Sequence, residues 1–165
     1  MKNIAEILRL MAINEGAYCS IITQWDDPDT ATLAQKYIEG IDFCIEHDFP
    51  SNEFLKTHFG SQMQQYGIFV DEKVYGKNLR HLVVNGQSKG KVSYDGCAFG
   101  KIYVRHKSHL EIDIYDDSIV NVEVYDKSMV TICNKGEKKA CVYLYGGKIK
   151  IKGNVVIKDK RFQTQ

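Results

Sequence analysis

The sequence predicts an α+β protein in which an N-terminal helical segment is followed by a short β-solenoid of ten-residue repeats. Three observations predict it. Apolar residues recur at three-to-four spacing up to about residue 60, the period of one helix face. From Leu82 onward the period becomes two, and the same residue types return every ten positions. Turn-forming residues sit between these apolar runs at a fixed offset. The boundary falls so that 1–67 is a helical cap region and 68–160 the repeat region.

Residues 3–14 place Ile4, Ile7, Leu8 and Met11 on one helix face, with Gly16 as the stop. A polar connector follows with Asp26, Asp27, Pro28 and Asp29, where the aspartates offer capping oxygens and Pro28 fits a first helical turn. The next helix is expected to run to about His47 with Leu33, Tyr37, Ile38, Ile41 and Ile45 buried; Gly40 inside it weakens the helix. Asp48-Phe49-Pro50 ends it. Ser51 caps a third helix carrying Phe54, Leu55 and Phe59, ended by Gly60, and one more turn fits at 61–66. Ile68, Phe69 and Val70 read as a first strand.

In a ten-residue frame starting at Leu82, the first position reads Leu82, Val92, Ile102, Ile112, Val122, Ile132 and Val142. The third runs from Val84 through Tyr94, Val104, Ile114 and Val124 to Asn134 and Leu144; the seventh is Ser88, Ala98, Ser108, Ser118 and Ser128, then Lys138 and Lys148. Positions seven, nine, one and three are two apart and therefore share one face of a strand. Positions four to six hold the corner, with Asp95-Gly96, Asp116-Asp117 and Gly146-Gly147 among them. Each decad thus becomes one strand of about seven residues plus a corner. An antiparallel β-meander is the alternative. The constant small residue at position seven favours a solenoid, where each residue stacks on its own equivalent. Two or three decads would make a coil. Asn134, Lys138 and Lys148 break the inward columns, as an atypical terminal coil would, and the helical region is expected to cap the other end.

The composition, with 44% hydrophobic and 26% charged residues, is that of a folded chain. No apolar run reaches the roughly 20 residues of a membrane helix, and the first residues, interrupted by Glu6 and Arg9, do not read as a signal peptide. The expectation is a cytoplasmic protein with no membrane association. Five widely spaced cysteines without a Cys-x-x-Cys read as reduced thiols rather than a disulfide or zinc framework. Phosphate-loop, dinucleotide, zincin and nucleophile-elbow motifs are absent, so the expected function is non-catalytic and calls for no cofactor and no metal.

Charge is polarised. Residues 1–60 hold four basic and ten acidic side chains, whereas residues 134–161 hold nine basic and two acidic ones. The tail (Lys135, Lys138, Lys139, Lys148, Lys150, Lys152, Lys158, Lys160 and Arg161, with Tyr143 and Tyr145) is a candidate RNA or nucleic-acid surface, since lysines neutralise phosphates and tyrosines stack on bases. The same lysines could instead keep an open solenoid end from aggregating. The acidic front (Asp26, Asp27, Asp29, Glu39, Asp42 and Glu46) is a candidate site for a protein partner. Asp116, Asp117 and Asp126 fall at consecutive corners, where stacked carboxylates could bind a hard cation such as calcium; the alternative is plain solvated turns. His106 and His109, read as lying on one strand segment, would face opposite sides. Asp113, Glu123 and Asp126 are the groups from which a carbohydrate-active carboxylate pair would have to come.

At Tyr115–Val120 and Tyr125–Val130, with an echo at Lys107–Leu110, the chain resembles the Tyr-Asp/Gly-x-Ser-x-Val repeats of β-solenoid proteins encoded by bacteriophages and mobile elements. Residues 39–60 resemble small proteins of gut-type Bacteroidetes and their phages. The resemblance transfers no catalytic residue. It implies a phage accessory factor that binds and inhibits a host defence nuclease or its guide-RNA complex, acting in the host cytoplasm. A self-assembling structural or virion module is the alternative, with self-association, and a carbohydrate-binding β-helix the minor one.

Overall fold

A computed structural model of the chain describes residues 3–17 and 29–162. The chain divides into two compact units, one ending at Tyr66 and one beginning at Gly67.

The first unit is helical. Helix α1 (Ile4–Asn14) is capped by Asn3, whose side chain accepts from the Glu6 amide. Its buried stripe is Ala5, Leu8 and Ala12, one position off the expected Ile4, Ile7, Leu8 and Met11; Met11 is exposed. The small side chains win this face because aromatic rings need room there: Phe43 and Phe49 pack against Ala12 and Ala17. The single helix expected to reach His47 is two helices, α2 (Thr30–Glu39) and α3 (Ile41–Glu46), parted at Gly40. Gly40 leaves helical geometry, at φ −97° and ψ 21°, because glycine has the least to lose by doing so. Ser51 caps α4 (Asn52–His58) by accepting from the Phe54 amide, and a 3-10 helix spans Gly60–Tyr66.

The second unit is a parallel β-solenoid, not a meander. Among the described residues eleven strands form two sheets in which every pairing is parallel. One sheet runs β1 (Ile68–Val70), β3 (His81–Asn85), β5 (Phe99–Val104), β7 (Ile119–Val124), β9 (Ala140–Leu144), β11 (Val155–Asp159). The other runs β2 (Lys73–Lys77), β4 (Lys89–Tyr94), β6 (His109–Ile114), β8 (Met129–Asn134), β10 (Lys148–Gly153). Gly100 pairs with Val120 and Leu110 with Val130, so each coil consists of two decads, one strand in each sheet.

The inward columns follow the decad frame. Val92, Ile102, Ile112, Val122, Ile132 and Val142 are buried in one cluster that both sheets share. Burying such a side chain fully is worth about 1.5–3 kcal/mol. Tyr94 also points inward, with its hydroxyl donating to the Leu79 carbonyl at 2.8 Å. Gly100 makes the space, because a Cβ there would collide with the Tyr94 ring.

The seventh-position serines are buried at the corners. Ser108 donates to the Gly86 carbonyl at 3.0 Å, and Ser128 to the carbonyls of Val104 and Tyr125. Each hydroxyl here adds a second donor to a carbonyl that already accepts a backbone amide. The fifth position takes left-handed backbone at Gly86, Gly96, His106, Asp116 and Asp126, with φ between 57° and 71°. Gly and Asp tolerate that region.

The last coil departs from the frame by a register shift. Lys148 pairs with Met129 and Ile149 with Val130, one residue short of the spacing used in the rungs before it. A one-residue shift exchanges the two faces of a strand. Lys148 and Lys150, which the decad frame places inward, therefore point outward, and Ile149 and Ile151 take the inward positions. Lys138 is exposed in the loop before β9 rather than in an inward column. Asn134 does lie inward: its Nδ2 donates to the carbonyls of Lys138 and Asn154, and its Oδ1 accepts from the Gly136 amide.

Ser118 is as buried as its equivalents, but its hydroxyl finds no hydrogen-bond partner. We expect Ser108→Ala and Ser128→Ala each to cost about 1 kcal/mol, the net worth of one buried hydrogen bond. Ser118→Ala should stay within about 0.5 kcal/mol of the parent. Urea denaturation of the three variants checks this; equal losses would contradict the assigned hydrogen bonds.

Candidate interaction surface

Outward side chains of a parallel in-register sheet also form columns, one residue per rung. On the five-stranded sheet the first column is Lys73, Lys89, His109, Met129 and Lys148. The second is Tyr75, Lys91, Glu111, Thr131 and Lys150. The third is Lys77, Ser93, Asp113, Cys133 and Lys152. The face is thus banded: basic at β2 and β4, acidic at β6, neutral at β8 and basic at β10. A shallow depression of about 610 Å³ crosses it, lined in part by Lys73, Tyr75, Lys89, Lys91, His109 and Glu111.

Where bands of opposite sign meet, they pair. Lys91 Nζ lies 2.9 Å from Asp113 Oδ2 and 4.0 Å from Glu111 Oε2. The hydrogen bond to Asp113 and then its charge raise the Lys91 pKa. Lys77 Nζ lies 2.6 Å from Asp95 Oδ2, which holds the Asp95 carboxyl below the usual range. Among the described residues no carboxylate bridges Lys73, Lys89, Lys148, Lys150 or Lys152.

The basic tail is divided rather than gathered. Lys148, Lys150 and Lys152 share the outer face of β10. Lys158 lies in the opposite sheet on β11, beside Tyr143, with its Nζ 5.0 Å from the ring centroid and donating to the phenol oxygen. Lys160 follows β11 and donates its amide to the Leu144 carbonyl. Tyr145 stacks on Tyr125 with ring centroids 4.9 Å apart, so one ring face is already taken. Lys135 lies over the Tyr115 ring, Arg161 forks onto Asp159, and Lys138 and Lys139 are exposed in the loop before β9.

Of the acidic front, Asp26 and Asp27 lie outside the described residues. Asp29 is the cap of α2, accepting from the Thr32 amide at 2.8 Å, and that hydrogen bond lowers its pKa. Glu39 accepts from Gln35 on the same helix, while Asp42 and Glu46 are exposed on α3.

Of the corner aspartates, Asp116 and Asp126 are engaged with backbone. Asp116 accepts from the Gly96 amide and Asp126 from the His106 amide, each at 2.8 Å. With two strands per coil, consecutive corners lie on opposite edges of the solenoid, so Asp116 and Asp126 do not stack as consecutive-corner carboxylates would. No group of metal ligands forms among the described residues. His106 sits on a corner, not on a strand, and its Nδ1 accepts from the Gly86 amide at 2.9 Å. Asp113, Glu123 and Asp126 belong to one sheet face, the other sheet face and a corner. Glu123 accepts from the Tyr125 hydroxyl. Cys97, Cys133 and Cys141 are free thiols. No described helix is long and apolar enough to cross a membrane.

No family model, no curated protein and no solved structure matches the chain.

The banded face was missed in the sequence because Lys73, Lys89 and Lys91 lie far from the basic tail. The signal was there in the outward positions, once read at a spacing of twenty rather than ten. The shift in β10 left no such trace, since Gly146 and Gly147 serve a corner equally well in sequence.

His81, at the start of β3, has a buried Nδ1 without a hydrogen-bond partner. Burial first, then the charges of Arg80 and Lys101, hold its imidazole below the ordinary value. The unfolded chain therefore takes up the proton first. Stability from this group is full above about pH 6.5 and is lost as pH falls through the lower folded pKa. Thermal melts between pH 7.5 and 5 should show a fall in Tm that is shallower in His81→Gln; parallel profiles would contradict this.

Proposed function

We propose that the chain is a non-catalytic interaction module that docks a protein partner on the outer face of its five-stranded sheet. One observation carries this reading. Lys73 and Lys89 are register neighbours on an exposed face, with His109 next in the column and no carboxylate among the described residues bridging either lysine. Like charges directly opposite on a sheet destabilise it. One rung further on, the same face pairs Lys91 of β4 with Asp113 of β6. A partner that sets carboxylates over Lys73 and Lys89 and a cation over Glu111 would complete the pattern, and complementary charge of this kind sets partner choice and encounter rate.

The resemblance of the decads to phage and mobile-element repeats supports a narrower setting, an accessory factor that binds and inhibits a host defence nuclease or its guide-RNA complex. Inhibition by occlusion asks for a rigid surface of fixed charge, which stacked rungs supply.

The test is affinity capture of the tagged chain from host lysate, with and without nuclease, followed by lysine cross-linking of the purified complex. We expect a stoichiometric protein that survives nuclease, cross-links through Lys73 and Lys89, and at least a tenfold loss of affinity in K73E/K89E with an unchanged circular dichroism spectrum. Loss of the partner on nuclease treatment, cross-links confined to the helical unit, or unchanged affinity in K73E/K89E would overturn the reading.

A further inference from the structure

Among the described residues the stack ends on β10 and β11, each with one strand neighbour, β8 for β10 and β9 for β11. The Lys148 amide donates to the Ser128 carbonyl. Backbone groups alternate sides along a strand, so Lys148, Lys150 and Lys152 face β8, and the amides and carbonyls of Ile149 and Ile151 face the open edge. The side chains tell the same story. Ile151 is 43% exposed and Ile157 41%, whereas their rung neighbours Ile132 and Val142 are fully buried. An open groove of about 510 Å³ lies at this end, lined in part by Val130, Leu144, Gly147, Ile149, Ile157 and Arg161.

We propose that this edge is a strand-addition site for an extended segment of a partner protein in which acidic residues alternate with aliphatic ones. The chain itself shows what such an edge accepts. β4 carries Lys89 and Lys91 outward with Val92 inward, and the strand laid on it is β6, whose outward residues include Glu111 and Asp113 and whose inward residues are Leu110, Ile112 and Ile114. Lys91 bridges both carboxylates. β10 presents the same kind of template one stage more basic: Lys148, Lys150 and Lys152 outward, Ile149 and Ile151 inward. A parallel strand over it would place carboxylates beside Lys150 and Lys152, cover the two isoleucines and bond their free backbone groups. This is recognition by strand addition, with backbone bonds giving affinity and alternate side chains giving specificity.

A second copy of this chain is a poor occupant. Two β10 edges would oppose lysine to lysine. The other terminal strand of the sheet, β2, carries Lys73 and Lys77 outward, so head-to-tail stacking also sets like charges together. Edge lysines commonly keep sheets from polymerising; an acidic strand turns the same device into selectivity.

The inference rests on the interaction reading but uses a different surface. Peptide binding can therefore fail while K73E/K89E still weakens the captured complex, and the reverse holds as well. The probe is a fluorescent ten-residue peptide, SHLEIDIYDD, which reproduces residues 108–117, titrated into the full-length protein. Its partner in the test is a charge-reversed peptide with lysine at both carboxylate positions of the β6 segment. We expect the acidic peptide to bind and K150E/K152E to weaken it at least tenfold. The reversed peptide should prefer K150E/K152E over the parent. Amide shifts should centre on Ile149 and Ile151. Ile151→Pro removes one edge amide without touching a bond to β8 and should also weaken binding. Equal binding of both peptides, shifts centred on β2 and β4, tighter binding of an oligouridylate of the same length, or self-association abolished by K150E/K152E would each overturn the proposal.

Discussion

A backbone that returns to the same place after two decads forces every side chain to pack on its own equivalent. In the middle rungs Leu110 lies beside Val130, and Ile112 beside Ile132. Parallel in-register stacking therefore acts on columns rather than on residues, and each column must be filled by types that tolerate their own kind. Branched aliphatics do so inward. At the seventh position only a small residue fits, and the hydroxyls of Ser108 and Ser128 there add a second donor to carbonyls that already accept a backbone amide. At the fifth position the backbone is left-handed, so glycine, aspartate and one histidine occupy it. The aspartates and the histidine also reach back one rung and accept a backbone amide. One side chain thereby turns the corner and fastens it to the preceding coil.

The same rule governs the outer faces and gives them their functional character. Charge on a stacked face cannot be scattered at will, because each residue has a neighbour on the next rung at the strand spacing, close to 4.8 Å. Lysine beside glutamate or aspartate is self-consistent, and Lys91 with Glu111 and Asp113 shows it. Lysine beside lysine is not, yet β2 and β4 set Lys73 next to Lys89 on an exposed face. A rigid surface holding an unfavourable pattern is stabilised by whatever neutralises it. Rungs also cannot go on indefinitely. Among the described residues β10 ends the five-stranded sheet with outward lysines and half-covered isoleucines.

Much of this was legible in the sequence, and for a physical reason. A decad with Val, Ile or Leu at its first position in seven successive copies leaves little freedom in which residues face inward. The constant small residue pointed to like-on-like stacking over a meander. Ser51 and Asp29 marked helix starts because their side chains can reach an amide three residues on. What escaped was decided by competition between near-equals. Gly40 could bend or continue a helix. Ala5 and Ala12 won a face from Ile4 and Met11 because Phe43 and Phe49 needed room beside Ala12. Gly147 rather than Gly146 adopts the left-handed backbone, and β10 pairs one residue short of the earlier rungs. For the candidate surface, the lysines of the tail were found but not their division between two sheets, since whether two or three decads make a coil is a property of the fold and not of any one repeat.

The central claim, a stack of two-strand rungs ending on an open edge, is tested most directly by residue-resolved amide hydrogen exchange on the isolated chain. Lys148, Lys150 and Lys152 turn their amides toward β8, whereas Ile149 and Ile151 turn theirs outward. Exchange along β10 should therefore alternate, slow at Lys150 and Lys152 and fast at Ile149 and Ile151, against uniform protection along β6 and β8. Uniform protection of β10 would mean that its edge is already covered. Uniform exposure would mean that the register that sets its lysines outward is wrong.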